Sequence, residues 1–93
     1  MRIKMKYKKI DKMVKRAVKM VYAGDGLYGY TTNINYNSCE NMFHITCAYG
    51  RETPDGQNNF HREFDFYTDN QEMRNNTYFA GMIYGIMREH EMA

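Results

Sequence analysis

Three side chains with ligand or nucleophile chemistry fall close together in the chain: Cys39, His44 and Cys47. Thiolate and imidazole are ligands of zinc, and a cysteine beside a histidine is the pairing of a thiol nucleophile with its base. The spacing opposes both uses. On a strand, His44 and Cys47 are an odd number of residues apart, so their side chains leave opposite faces. Cys39 falls in the preceding turn, and a fourth ligand would have to be His61 or an acid. Cys47 shares its face with Phe43, Ile45 and Tyr49 and reads as a small buried hydrophobe. Glu63 and Asp65 form a second constellation, since paired carboxylates on one face can hold a metal or divide acid and base roles. Such work needs a cleft, and a domain of this size offers little cleft volume. With His61 and Arg62 beside them, the two acids read as solvated charge. The Gly24-Asp25-Gly26 stretch leads into a strand and lacks the spacing of a phosphate-cradling loop. His90 lies near the C-terminus. The expectation is a protein that is not an enzyme, with no catalytic residue, no metal and no cofactor.

The elements that carry these residues follow from periodicity. Ile10, Met13, Val14, Ala17, Val18 and Val21 recur at helical spacing, with Lys8, Lys12, Lys15, Arg16 and Lys19 on the opposite face. Gly24 suits the position just past that helix, because glycine adopts positive φ cheaply. Met20 and Tyr22 fall at the rim of the apolar stripe. Residues 2–8 alternate basic and apolar, and residues 1–9 read as a basic, flexible lead-in rather than as an edge strand. Tyr28, Tyr30, Thr32, Ile34 and Tyr36 alternate with polar and small residues, which predicts a first strand with one aromatic face. A second strand puts Phe43, Ile45, Cys47 and Tyr49 on one side. Thr53-Pro54-Asp55-Gly56 is a turn. A third strand sets Phe60, Phe64 and Phe66 against His61, Glu63, Asp65 and Tyr67. Asp69 with Glu72, or Thr68 with Gln71, forms a capping box, and a helix is expected from about Asn70 to about His90. Its apolar stripe is Met73, Thr77, Ala80, Tyr84 and Met87, widened by Phe79, Met82, Ile83 and Ile86. Gly81 and Gly85 each weaken that helix, so a close approach should require them. Packing against the sheet is the first explanation, and a homodimer crossing on the Gly81/Gly85 face is the second. The fold class is therefore α+β, a helix, a three-stranded antiparallel sheet and a helix (αβββα), as one compact domain over residues 1–93.

The charge is divided along the chain. The formal net charge is +2, but residues 1–23 hold nine cations against Asp11 alone, and residues 24–93 hold four arginines against ten acids. That is a basic arm on an acidic body. It reads either as a polyanion-binding patch or as two halves that neutralise each other. The chain has nine tyrosines, five phenylalanines and no tryptophan, an aromatic content that excludes disorder. Most of these tyrosines are expected half-buried on strands, and the rest would suit a recognition surface. No run is apolar enough for a membrane span, and no apolar stretch follows the basic N-terminus as in a secretory signal. With two cysteines and little core, a reducing cytoplasmic setting with free thiols is expected.

Size, architecture and the lack of catalytic constellations point to a binding protein. In size and helix–sheet–helix order the chain resembles compact phage-encoded inhibitors of host defence, anti-CRISPR proteins among them. The resemblance implies an inhibitor or adaptor that occludes a protein partner, namely a nucleic-acid-handling complex. Its acidic strands and turns would occupy a basic channel, with Asp55, Glu63, Asp65, Asp69 and Tyr67 as the contact residues. The alternative is direct nucleic-acid binding by Lys8, Lys12, Lys15, Arg16 and Lys19. The element order also resembles a double-stranded-RNA-binding domain, which carries a basic cluster at the start of its second helix. Here that position reads Asp69-Asn70-Gln71-Glu72, and the lysines sit on the first helix instead. A third possibility is sequestration of a small ligand among tyrosine and arginine side chains.

Overall fold

The computed structural model describes the backbone of residues 2–92 and the side chains of residues 6–91. Element order is α1 (Arg2–Val21), β1 (Leu27–Asn37), β2 (Met42–Arg51), β3 (Phe60–Thr68), α2 (Asn70–Arg74) and α3 (Asn76–Met92). The strands form one antiparallel sheet in the order β1-β2-β3. Helices α1 and α3 pack against each other over one face of the sheet, and the other face carries no helix. This is the expected α+β architecture, with three differences of detail.

The first difference is at the N-terminus. Residues 2–9 extend α1 as helix, where alternation suggested a lead-in. Ile3, Tyr7, Ile10 and Val14 are spaced at helical intervals as well, and lysine, methionine and arginine favour helix, so both readings fitted the letters. The helix buries Ile10, Val14, Ala17 and Val18 completely and leaves Lys8, Lys12, Lys15, Arg16 and Lys19 exposed. It ends where the sequence placed the stop. Gly24 takes φ 105°, and the Arg51 guanidinium donates to the Ala23 carbonyl oxygen beyond the last turn.

The second difference is a β-bulge in β1. Thr31 pairs with Cys47, but Asn33 pairs with Thr46, so Thr32 is an extra residue. Before the bulge the odd-numbered residues face the helices, and Gly29 and Thr31 are buried; after it Ile34 faces them. The single aromatic face expected for β1 is therefore divided. Tyr28 and Tyr30 lie on the open face, while Tyr36 meets Phe43 at the covered side in a tilted contact, with ring centroids 4.6 Å apart. Asp11 anchors the bulge: its Oδ1 accepts a 2.6 Å hydrogen bond from the Thr31 amide. Gly29 allows the approach, since a Cβ there would stand 2.7 Å from Val14 Cγ1.

The third difference is the C-terminal helix, which breaks at Asn75. That residue is extended (φ −96°, ψ 103°), and its carboxamide oxygen caps α3 by accepting from the Tyr78 amide at 3.0 Å. Asparagine favours caps over helix interiors because its side chain competes for backbone donors. The cap at Asp69 is as expected: its carboxylate accepts from the Glu72 amide at 2.8 Å, and Thr68 Oγ1 donates to Glu72 Oε1. Phe79, Ile83 and Met87 fill the core beneath α3, while Thr77 is exposed rather than part of the stripe. Gly81 and Gly85 also fall on the exposed face, and an added Cβ at either would meet nothing within 4 Å. Packing against the sheet is thus not what these glycines serve. Beside the core, Glu91 ties the end of α3 to the sheet. It accepts from the Tyr49 hydroxyl and pairs with Arg62 Nε at 3.0 Å.

Candidate functional site

The open face of the sheet is built in cross-strand rows. Gly50 on the central strand pairs with Tyr28 on one side and His61 on the other, and Ala48 pairs with Tyr30 and Glu63. Thr46 pairs with Asn33 and Asp65, and His44 with Asn35 and Tyr67. The small residues Gly50 and Ala48 let the flanking aromatics lean over the centre. The Tyr28 ring lies over Gly50, so that a Cβ there would collide with the tyrosine ring and the Phe60 carbonyl. From that position the Tyr28 hydroxyl reaches across the sheet and shares a 2.8 Å hydrogen bond with His61 Nδ1. Burial, with the neighbouring Tyr30 and Glu52 adding to it, pushes the Tyr28 hydroxyl above its ordinary pKa.

Two histidine–carboxylate pairs lie on the same face. His44 Nε2 is 2.7 Å from Asp65 Oδ2, and the His44 ring stacks under Tyr67 at 4.6 Å. His61 Nε2 is 3.5 Å from Glu63 Oε2. Tyr67 is 63% exposed and Tyr30 42%. At the hairpin end of this face, Asn35, Met42, His44 and Tyr67 line a shallow hollow of about 250 Å³, with Tyr36 at its rim. The result is a weakly concave surface of tyrosine, histidine and carboxylate in which Tyr28 stacks with Tyr30 and His61, and Tyr67 with His44.

Of the five residues expected to contact a protein partner, Glu63, Asp65 and Tyr67 come together here. Asp55 and Asp69 do not join them. Asp55 closes the β2–β3 turn, accepting from Thr53 Oγ1 at 2.7 Å and from the Gln57 amide at 3.0 Å, and these bonds lower its pKa. Asp69 is committed to capping α2. Tyr28, Tyr30 and His44 join the face without having been expected, and His61 lies on it beside Glu63 as the alternation of β3 placed it. The tyrosines were hidden by the bulge. The histidines were visible as alternating residues, but only the β2–β3 register pairs His44 with an acid.

Cys47 lies on the other face, fully buried, and burial pushes its thiol up to about 12. It is not a thiolate at neutral pH, and its strand turns it away from His44. Cys39 is exposed in the hairpin turn. Among the described residues no group of three or more histidines, cysteines and acids is placed to hold a metal ion.

The second surface is the outer side of α1. Lys8, Lys12, Lys15 and Lys19 succeed one another at intervals of four, three and four residues, with Arg16 beside them. Among the described residues the ion pairs join His44 with Asp65, His61 with Glu63 and Arg62 with Glu91. None neutralises Lys8, Lys9, Lys12, Lys15, Arg16 or Lys19. Because α1 covers the inner side of the sheet, Lys8, Lys12, Lys15, Arg16 and Lys19 lie on the side away from Glu63 and Asp65. The charge division in the sequence has become two opposed faces. No described helix is long and apolar enough to cross a membrane. No family model matches the chain, and no curated protein or solved structure matches it either.

Proposed function

We propose that the protein is a non-enzymatic binding protein whose open sheet face covers a basic surface on a partner protein, acting as an inhibitor or adaptor of a nucleic-acid-handling complex. The observation that carries this reading is the placement of Glu63 and Asp65 among Tyr28, Tyr30 and Tyr67 on a face that no helix covers. Tyrosines with fixed rotamers supply contact area at little entropic cost, and interface hot spots are rich in them. The carboxylates supply complementarity to lysine and arginine, which speeds encounter and rejects acidic partners. A partner that binds nucleic acid presents such a basic surface, so occupying it would exclude the nucleic acid. This is the behaviour that the resemblance to phage-encoded inhibitors of host defence implies.

The test is affinity capture from host lysate with the wild-type chain and with a Glu63→Arg/Asp65→Arg/Tyr67→Ala variant of unchanged circular dichroism. The expected result is a protein retained by the wild type, lost with the variant and released by added duplex DNA. Equal retention by the two chains, or retention indifferent to nucleic acid, would overturn the reading.

A further inference from the structure

We infer that the outer face of α1 is a second, separate binding surface, which takes the phosphate backbone of a nucleic-acid duplex without reading its sequence. This does not rest on the function proposed for the sheet face, since the two surfaces share no residue. Lys8, Lys12, Lys15, Arg16 and Lys19 are exposed, and no carboxylate among the described residues lies within ion-pair distance of them. Lys8, Lys12 and Lys15 rim an open groove of about 660 Å³ together with Lys9, Met13 and Asn76, the first residue of α3, and Arg16 and Lys19 continue the row beyond it. The amino end of α3 adds the positive end of a helix dipole to the same side. The single acid in the groove, Asp11, is turned to the Thr31 amide.

Several kinds of polyanion could meet such a row, and its chemistry selects among them. An interfacial membrane helix must insert its apolar side, but Ile10, Val14, Ala17 and Val18 are sealed in the core. Protein interfaces are depleted in lysine and anchored by aromatics, and the outer face of α1 presents five cations without one exposed ring. Single-stranded nucleic acid is held by stacking bases on aromatic side chains, which the same absence disfavours. A duplex asks only for regularly spaced positive charge. From Lys8 to Lys19 the helix rises about 16 Å at 1.5 Å per residue. A duplex carries one negative charge per about 1.7 Å of axis, so that length offers more phosphates than the row has cations.

The experiment is a fluorescence-anisotropy titration of the full chain with mixed-sequence 20-base-pair DNA and RNA duplexes, the matching single strands, poly-glutamate, and vesicles containing phosphatidylserine. Five phosphate contacts give a log–log salt slope near about −4.5, which is about 500-fold weaker binding at 200 mM than at 50 mM salt. Lys12→Gln/Lys15→Gln should flatten the slope by about 2 and weaken both duplexes alike. Both lysines are exposed, so the fold should hold, with circular dichroism as the check. Glu63→Gln/Asp65→Asn, on the opposite face, should leave binding within about twofold, since neither acid pairs with the row. Overturning results are no binding at 50 mM salt, an unchanged slope in the lysine variant, or tighter binding of the single strands, poly-glutamate or vesicles than of either duplex.

Discussion

Removing the Asp11 carboxylate tests how the bulge in β1 is held. The Thr31 amide donates to Asp11 Oδ1 at 2.6 Å across the α1–β1 interface, and Thr31 is only 8% exposed. In Asp11→Ala that amide loses its acceptor where water has poor access. A hydrogen bond to a charged group contributes about 1.5–3 kcal/mol, and a stranded donor costs a similar amount. Alanine returns about 0.6 kcal/mol through its helix propensity. The net loss is about 2 kcal/mol, which for a domain of this length lowers Tm by about 8–16 °C. Asp11→Asn retains a neutral acceptor and should lose about half as much. Thermal unfolding followed by circular dichroism measures both, and amide hydrogen exchange at Thr31 localises the effect: protection there should fall in Asp11→Ala and persist in Asp11→Asn. A Tm for Asp11→Ala within about 2 °C of the parent would refute the reasoning, as would equal damage from the two variants.

Three further outcomes are expected. Burial raises the Glu91 carboxyl, but the Tyr49 hydroxyl bond, the Arg62 guanidinium and the nearby Tyr22 hydroxyl, which meets no partner at hydrogen-bonding geometry, outweigh it and hold the group below its ordinary 4.5. A depressed carboxylate stabilises the fold fully above 4.5 and loses that contribution as pH falls through the folded value, so denaturant unfolding of Glu91→Gln should differ from the parent at pH 7 and converge with it in acid. Gly29→Ala would bring a Cβ against Val14 and should destabilise, whereas Gly81→Ala and Gly85→Ala meet open space and should each stabilise by about 0.5–1 kcal/mol. Loss of an oligomer in the latter two, seen by light scattering, would instead support a dimer crossing on that helix face. Cys39 should react with a thiol reagent in the native protein and Cys47 only after unfolding, because one is exposed and the other sealed with its pKa pushed up to about 12.

The element order was legible in the letters because each period was clean where packing was one-sided. The apolar stripe of α1 from Ile10 to Val18, the alternation in β3 and that in β2 as far as Cys47 reappear as core and surface, while Ala48 and Gly50 are buried beneath the open-face aromatics. What was not legible was local and depended on partners far along the chain. Thr31-Thr32-Asn33 carries no bulge signal of its own, and the bulge is held by a carboxylate twenty residues earlier. Its consequence is large, because a one-residue shift exchanges the faces of everything on one side of it. The break at Asn75 is different in kind. The apolar spacing across Asn75 and Asn76 suited one continuous helix, and only the structure shows the Asn75 carboxamide capping a new one.

The same contrast explains why only part of the acidic site was found. Alternation alone brought Glu63, Asp65 and Tyr67 together. Asp55 and Asp69 were equally acidic and equally close in sequence, but backbone amides claim both carboxylates. An acid at a turn or cap position is engaged locally before a partner arrives, and its charge is partly offset by the amides it accepts from. On β3 the pleat denies Glu63 and Asp65 that local use and leaves them to the histidines beside them and to whatever approaches the open face. Lys8, Lys12, Lys15, Arg16 and Lys19 of α1 make no ion pair with a described carboxylate for the corresponding reason. Asp11 is turned to the Thr31 amide, Asp55 and Asp69 are held in a turn and a cap, and Glu63 and Asp65 lie on the far side of the sheet, so the fold keeps these acids apart from cations that a compact chain of net +2 could have paired with them.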